Sequence, residues 1–437
     1  NMRINFKDAR SVIDRHMLAD GMSPVIDLER SHGSWLVDGV TGKEYLDLFS
    51  MYASMSVGYN HPYVLDNIDR LTRAAINKPA NSDIYSPQMA EFVDTVGRIA
   101  QPSYLPYAFF IEGGGLAVEN ALKAAFDWKA KKNMSQGKPA PKNLVIHLKD
   151  CFHGRTGYTM SLTDSPDPRK VQHFPKFNWP RIVNPSIKFP LNENSLEEVL
   201  ALEEKSISQI KQILTENTDD VACLILEPIQ GEGGDNHFRD EYLNELKQLS
   251  NDNDFLLIFD EVQTGIGITG KMWAHEHQGV LPDVMSFGKK TQCCGIFAGK
   301  RLDEIDDHVF RESSRINSTF GGNLVDMVRF TIYLEIMENE NLLKMASENG
   351  SYLLSSLESL QDSKDELISN VRGRGLFCAF DLPSGAFRDK LISKVEEEGA
   401  LILGCGHNSI RFRPHLNISK GEIDSAMSMI NRALAKI

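Results

Sequence analysis

Five short apolar runs, separated by longer stretches with helical periodicity, constrain the fold of this chain more than any other feature. The runs lie at 108–111, 144–148, 221–226, 255–259 and 284–287. Each has the length of a buried strand, and the segments between them, such as 115–131 and 239–251, are long enough for crossover helices. The alternation predicts an α/β domain with a largely parallel sheet over residues 65–320.

The pattern changes after Gly321 and Gly322, where helices and strands predict a smaller α+β domain over residues 321–437. Its predicted elements are helices at 324–339, up to 360, at 386–398 and from 419 onwards, and strands at 375–382 and on either side of 404–409. Near the N-terminus we expect a helix at 7–18 and a hairpin at 35–45. We therefore assign segment 1–64 to the same smaller domain.

The formal net charge of -13 argues against a nucleic-acid partner or an anionic membrane, because both favour a basic surface. No apolar run approaches the length of a membrane span, and we expect no signal peptide. The six cysteines show no CxxC spacing, which suits reduced thiols in a cytoplasm. Cys405 and His407 offer at most two metal ligands, so no metal site is expected. A small-molecule substrate fits these properties.

An acid and a lysine follow two of the predicted strands. Asp260 comes directly after the run at 255–259, and Lys289 follows the run at 284–287. This arrangement suits pyridoxal 5'-phosphate chemistry, in which a lysine amine holds the cofactor aldehyde as a Schiff base and a carboxylate keeps the pyridine nitrogen protonated. By themselves the two residues fit an acidic turn and a solvated Lys289-Lys290 pair equally well.

Two glycine-rich segments are candidate phosphate sites. The segment 265–270 matches GxGxxG and most of a P-loop, but Met272 stands where a P-loop has Ser or Thr, and the motif does not open a helix directly after its strand. We interpret it as a shaped turn. Gly113, Gly114 and Gly115 follow a predicted strand and open a helix, so their backbone amides favour an anion. A plain strand-to-helix turn is the alternative.

Charged and aromatic residues follow other predicted strands. Phe152 and His153 come after the run at 144–148, where they could stack on a planar ring, and Arg155 could receive a carboxylate. Glu232 lies in a glycine-rich turn after the run at 221–226. Arg411 lies on a predicted strand and is a second candidate carboxylate receptor. Ordinary packing and surface charge remain alternatives for all five.

Long segments of the chain resemble the class III pyridoxal-phosphate aminotransferases, and within them the lysine ε-aminotransferases (L-lysine 6-transaminases). The resembling segments are EGGGLAVENALKAAFDWK from Glu112, FHGRTGYTMSLT from Phe152, FPKFNWPRI from Phe174, EPIQGEGGDNHFR from Glu227, DEVQTG from Asp260, FGKKTQCCG from Phe287, RINSTFGGNLVDM from Arg315, RGRGLFCAFDLP from Arg372 and IRFRP from Ile410. The resemblance covers nearly the whole chain. It implies a fold-type I homodimer with active sites at the subunit interface and a cofactor bound by the large domain.

The resemblance also implies roles for individual residues. Lys289 resembles the Schiff-base lysine and Asp260 the partner of the pyridine nitrogen. The residues that resemble ring contacts are Phe152, His153, Val262 and Gln263. The residues that resemble phosphate contacts are Gly114 and Gly115 of one subunit and Ser318 and Thr319 of the other.

For the substrates, Arg155 is similar to the residue that receives the α-carboxylate of lysine, with Asn317 assisting. Arg411 resembles the receptor for the α-carboxylate of glutamate or 2-oxoglutarate, and Glu232 the acid that masks it between half-reactions. The implied activity is a ping-pong transfer of the ε-amino group of L-lysine to 2-oxoglutarate, giving 2-aminoadipate 6-semialdehyde, which cyclises to piperideine-6-carboxylate, and L-glutamate. Alternatives are an ornithine δ- or 4-aminobutyrate aminotransferase, or a non-transaminase protein of the same fold.

Overall fold

A seven-stranded sheet, here called the central sheet, lies at the middle of the chain, which a computed structural model describes over residues 3–437. In spatial order its strands are Tyr107–Ile111, Cys294–Ala298, Val284–Phe287, Leu256–Asp260, Val221–Leu226, Leu144–Leu148 and Arg181–Ile182. Cys294–Ala298 is antiparallel to both neighbours, and the other strands run parallel. All five predicted runs belong to this sheet, so the predicted α/β fold with a largely parallel sheet is confirmed.

Both faces of the central sheet are buried, because successive side chains of each strand point to opposite cores. Ile258 packs with the helix Gly114–Ser135 on one face. Leu257 packs on the other face with the helices Glu193–Glu216 and Asp240–Asp252. Burial of each such aliphatic side chain contributes about 1.5–3 kcal/mol, which explains why the strands are continuous apolar runs in the sequence.

A four-stranded antiparallel sheet is formed by the C-terminal part of the chain. In spatial order its strands are Ser369–Arg374, Phe377–Asp381, Ser409–Phe412 and Leu403–Cys405. The accompanying helices are Leu324–Asn339, Leu342–Ser363, Gly385–Glu398 and Lys420–Leu434. The last helix begins where the sequence predicts it, because the Ser419 side chain accepts a hydrogen bond from the Glu422 amide at 3.1 Å and caps the helix.

The N-terminal hairpin joins this C-terminal part through a shared three-stranded sheet. Trp35–Val37 pairs antiparallel with Glu44–Asp47, which pairs in parallel with Ala400–Leu401. The predicted helix at 7–18 is wrong at its end: the helix is Phe6–Ile13, and the chain folds back so that the Arg10 guanidinium bonds later carbonyl oxygens. The domain boundaries at 64/65 and 320/321 stay a prediction.

The remaining elements are short or lie outside the sheets. They are the helices Pro62–Asp66, Ile68–Ile76, Pro87–Ile99 and His275–Gln278, the paired strands Ile229–Gln230 and Asn236–His237, the turn Ser50–Ala53, and single 3-10 turns at Thr159–Ser161, Pro168–Lys170, Lys289–Thr291 and Lys300–Glu304. Across residues 3–437, none of the helices has the length and apolar character that a membrane crossing requires.

Candidate active site

A cavity of about 370 Å³ opens at the carboxyl ends of the parallel strands, where ligands bind in open α/β sheets. Loops that follow five different strands contribute to its wall. The lining residues are Tyr52, Gly114, Gly115, Phe152, His153, Gly154, Arg155, Lys170, Glu227, Glu232, Asp260, Val262, Gln263, Lys289, Leu403, Arg411 and Arg413. The cavity therefore brings together eleven of the fourteen predicted site residues, ten from the strand ends and loops of the central sheet and Arg411 from the four-stranded sheet.

Asp260 is held rigidly at the floor of this cavity. Its carboxylate is almost fully buried, accepts a hydrogen bond from the Val262 amide at 3.0 Å, and lies 2.7 Å from Nδ1 of His153. Burial lowers the pKa of His153, but Cys151 and Asp260 together outweigh it and raise that pKa well above its usual value. The His153 ring and the Val262 amide together fix the orientation of the Asp260 carboxylate at the cavity wall.

Lys289 projects into the same cavity from the neighbouring strand end. Asp260 pairs with Ser286 in the sheet, so the lysine lies three residues beyond the position opposite the acid. Its φ of +55° is a left-handed conformation that non-glycine residues rarely adopt, and such strain concentrates at functional sites. Burial first and then Arg411 lower the pKa of Lys289, which favours the free amine needed for nucleophilic chemistry.

The loop formed by Gly113, Gly114 and Gly115 packs closely against Val262 and Thr156. Gly113 has a φ of +90°, and the helix Gly114–Ser135 begins after it without a side-chain cap. A Cβ atom on Gly114 would lie 2.9 Å from Cγ1 of Val262, and one on Gly115 would lie 3.1 Å from Cγ2 of Thr156. The first-turn amides at this helix N-terminus can thus receive an anionic group without a side chain in the way.

Glu227 ties two of the cavity loops together. One carboxyl oxygen accepts from the Phe152 amide at 2.9 Å, and the other accepts from the Gly231 amide at 3.0 Å. Burial raises the pKa of Glu227 from its usual 4.5 to about 7. The loop that carries the candidate stacking ring is thereby fixed to the loop that carries Glu232.

Two arginines line the cavity, Arg411 on the strand Ser409–Phe412 and Arg413 directly after it, and each has a carboxylate partner. Arg411 donates to Glu232 at 2.8 Å, and Arg413 pairs with the buried Asp235 at 2.5 and 3.0 Å. The side-chain oxygen of Gln263 accepts from both arginines, at 3.3 and 3.0 Å. Although burial raises the pKa of Glu232, Arg411 and then Lys170 hold it below its usual value.

Three predicted site residues lie elsewhere. Asn317, Ser318 and Thr319 form part of a largely exposed loop outside this cavity. The loop is ordered locally: the Asn317 side chain accepts from the Ser318 amide at 2.8 Å, and the Thr319 carbonyl accepts from Ser82 at 3.0 Å.

Tyr52 lines the cavity from a left-handed turn that sequence reasoning missed. Ser50, Met51, Tyr52 and Ala53 have φ values between 42° and 65° without a glycine among them. Such a conformation costs about 1–2 kcal/mol per residue. Hydrogen bonds from distant residues hold it: Lys290 Nζ donates to the Ala53 carbonyl at 2.7 Å, and the Ser50 hydroxyl donates to the Arg413 carbonyl at 2.6 Å. No local signal in the sequence marks this turn.

The residues present fit pyridoxal phosphate. The cavity offers a buried lysine amine, a carboxylate with a histidine behind it, an aromatic side chain and an uncapped helix N-terminus next to glycines. Two buried polar atoms of cavity-lining residues, Nε2 of His153 and Nε of Arg411, have no hydrogen-bond partner among the described residues. Within residues 3–437, no group of three or more His, Cys, Asp or Glu side chains is arranged to hold a metal ion.

The chain belongs to the class III aminotransferases, as the fold and this site indicate. The family model described as "Aminotransferase class-III" matches residues 17–434. The expected fold and family are thus confirmed, and like other members of the family the protein uses pyridoxal phosphate.

Within this family the chain is similar to relatives named as lysine and as 4-aminobutyrate aminotransferases. The chain is 48% identical over 427 residues to an L-lysine-epsilon aminotransferase of Mycobacterium tuberculosis, covering 97% of this chain and 94% of that protein. A solved lysine aminotransferase from M. tuberculosis superposes with a TM-score of 0.97 at 47% identity, covering 99% of this chain and 100% of the other. The human mitochondrial 4-aminobutyrate aminotransferase is 35% identical over 413 residues, covering 89% of this chain and 80% of that protein.

Proposed function

We propose that this protein transfers the ε-amino group of L-lysine to 2-oxoglutarate by a ping-pong mechanism. The products are 2-aminoadipate 6-semialdehyde, which cyclises to piperideine-6-carboxylate, and L-glutamate. The main support for the proposal is that one cavity contains two arginines, both candidate carboxylate receptors, in different states: Arg411 is paired with Glu232, whereas Arg155 is exposed. The likeness to relatives named for lysine supports the choice of donor.

Pyridoxal phosphate, when bound, supplies an electron sink for the donor carbon. Lys289 would hold the cofactor through its Nζ, and as a free amine the same Nζ would take the proton from the ε-carbon of lysine. Asp260, oriented by His153, would keep the ring nitrogen protonated. Phe152, His153, Val262 and Gln263 would contact the ring and its hydroxyl, and Gly114 and Gly115 would contact the phosphate.

The two substrates use different arginines. Arg155 receives the α-carboxylate of lysine, so that the terminal amine points towards Lys289. Asn317, which lies outside the cavity of its own subunit, assists as part of the loop that the other subunit lends. In this half-reaction we expect Glu232 to stay on Arg411, as in the substrate-free pair, and to neutralise it. When 2-oxoglutarate enters, Glu232 moves away and Arg411 receives the α-carboxylate through its two-pronged donor geometry.

We further propose a homodimer in which each subunit lends Ser318 and Thr319 to the phosphate site of the other. The exposed loop of these residues is hydrogen-bonded to residues 81–82, and large exposed apolar side chains, which are usual at subunit interfaces, occur nearby in both segments. These side chains are Ile84, Tyr85 and Phe320, exposed by 66%, 77% and 38%. A cytoplasmic location is part of this proposal, and all six buried cysteines are free thiols in the described part of the chain.

The rival donors are ornithine and 4-aminobutyrate, and a non-transaminase activity is the remaining alternative. The test offers lysine, ornithine and 4-aminobutyrate separately with 2-oxoglutarate, measuring glutamate and trapping the cyclic imine. We expect the highest kcat/KM with lysine. A much higher value with ornithine or 4-aminobutyrate would contradict the proposal, and no glutamate from any donor would favour the non-transaminase alternative.

A further inference from the structure

Glu232 lies between two cations inside the cavity. Its Oε2 accepts from Nη2 of Arg411 at 2.8 Å, and its Oε1 lies 3.8 Å from Nζ of Lys170. The Arg411 side chain is 5% exposed, whereas the side chains of Glu232 and Lys170 are each 33% exposed. The arginine is therefore the inner cation and the lysine the outer one.

Arg411 receives a substrate carboxylate only after Glu232 has left it. Moving a partly buried carboxylate away from its partner is costly unless another cation replaces that partner, because an unpaired charge loses both its solvation and its ion pair. Lys170 already faces the oxygen that does not bind Arg411. A short rotation of the Glu232 side chain exchanges one ion pair for another.

We propose that Lys170 is a positioning residue that takes over Glu232 while Arg411 binds the α-carboxylate of the dicarboxylic substrate. The inference rests on the proposed function and extends it to the second half-reaction. It predicts that Lys170 matters for glutamate and 2-oxoglutarate but not for lysine, because Glu232 stays on Arg411 while lysine is bound.

The chain offers a matched control next to Lys170. The Arg169 side chain is 82% exposed, does not line the cavity and forms a local pair with Asp167. Arg169→Met removes the same charge from the same turn without touching Glu232. Lys170→Met removes the outer cation at nearly constant length, and Lys170→Arg restores it.

The test measures glutarate binding to the cofactor-loaded enzyme by calorimetry, and the rates of the separate lysine and glutamate half-reactions from the cofactor absorbance. For Lys170→Met we expect glutarate binding and the glutamate half-reaction to weaken by about fivefold, equivalent to about 1 kcal/mol, as for one partly exposed ion pair. The lysine half-reaction should keep its rate. Lys170→Arg should recover most of the loss, and Arg169→Met should behave like wild type.

Three outcomes would overturn the inference: unchanged glutarate binding in Lys170→Met, an equal loss in both half-reactions, or an equal effect of Arg169→Met. In a Glu232→Gln background, Lys170→Met should have no further effect, and an undiminished effect would also overturn it. Failure of the proposed function can be told apart from failure of this inference. In the first case the wild-type enzyme itself does not react with lysine, regardless of its binding of glutarate or its reaction with glutamate.

Discussion

Asp235→Asn should destabilise the protein strongly, because it leaves the Arg413 guanidinium charged and buried. The two side chains are 0% and 1% exposed and are joined by hydrogen bonds of 2.5 and 3.0 Å. Asp235 has a φ of +48°, which asparagine adopts readily. The substitution therefore removes the charge while it keeps the backbone conformation and one acceptor oxygen.

The expected loss of stability follows from the distance between the two charges. With an effective dielectric constant of about 20, unit charges about 3 Å apart attract each other by about 5 kcal/mol. The asparagine oxygen retains part of this attraction. The expected loss is therefore that of removing one partner of a buried pair, about 3–5 kcal/mol. With an unfolding entropy of about 2 cal/mol/K per residue, a chain of this length should unfold about 4 °C lower.

The assay is thermal and urea unfolding of the cofactor-loaded protein. Asp167→Asn, at an exposed pair with Arg169, is the control and should leave the unfolding temperature unchanged. The double variant Asp235→Asn with Arg413→Met should be more stable than Asp235→Asn, since it no longer contains the unpaired charge. A wild-type unfolding temperature for Asp235→Asn, or a double variant less stable than the single one, would show that the charge of Arg413 does not depend on Asp235 for its stability.

Three further predictions concern the site itself. Lys289→Ala should abolish amino transfer, and borohydride reduction followed by mass spectrometry should find the cofactor bonded to this lysine in wild type and unbonded in the variant; wild-type turnover would contradict its role. Glu227→Gln should gain about 3 kcal/mol of stability relative to wild type as pH rises from 4.5 to about 7, because the raised pKa of Glu227 makes ionisation costly in the folded state. Urea unfolding at a series of pH values should show a stability difference that grows over this range and is constant above it. Gly114→Ala should weaken cofactor binding by about tenfold or more, since its Cβ would lie 2.9 Å from Val262. The control Gly97→Ala, whose Cβ would meet one side-chain atom at 3.9 Å, should bind the cofactor like wild type. Equal cofactor dissociation constants for the two variants in equilibrium dialysis would contradict the prediction.

Much of the large domain can be predicted from the sequence, because buried parallel strands are continuous apolar runs and their carboxyl ends meet at one edge. The convergence of Asp260 and Lys289 follows from this rule, since Asp260 comes directly after one such run and Lys289 follows another with only Gly288 between. The interpretation of 265–270 as a shaped turn agrees with the fold: Ile266 and Ile268 are buried and the segment closes on Met272, so it offers no open nucleotide loop.

The missed features depend on contacts between residues far apart in the sequence. The left-handed turn that presents Tyr52 is stabilised by Lys290 and Arg413, more than two hundred positions away, and its own residues give no turn signal. Lys170 lies in a short 3-10 turn whose sequence indicates only an exposed loop. Its proximity to Glu232 emerges when the loops after two separate strands meet.

Transfer of the ε-nitrogen of lysine to glutamate can be followed directly with lysine that is labelled at one of its two amines. The enzyme is supplied with 2-oxoglutarate and with L-lysine carrying nitrogen-15 at either the ε- or the α-position, and the glutamate formed is analysed by mass spectrometry. We expect labelled glutamate from ε-labelled lysine and unlabelled glutamate from α-labelled lysine. Label arriving in glutamate from the α-position would contradict this expectation.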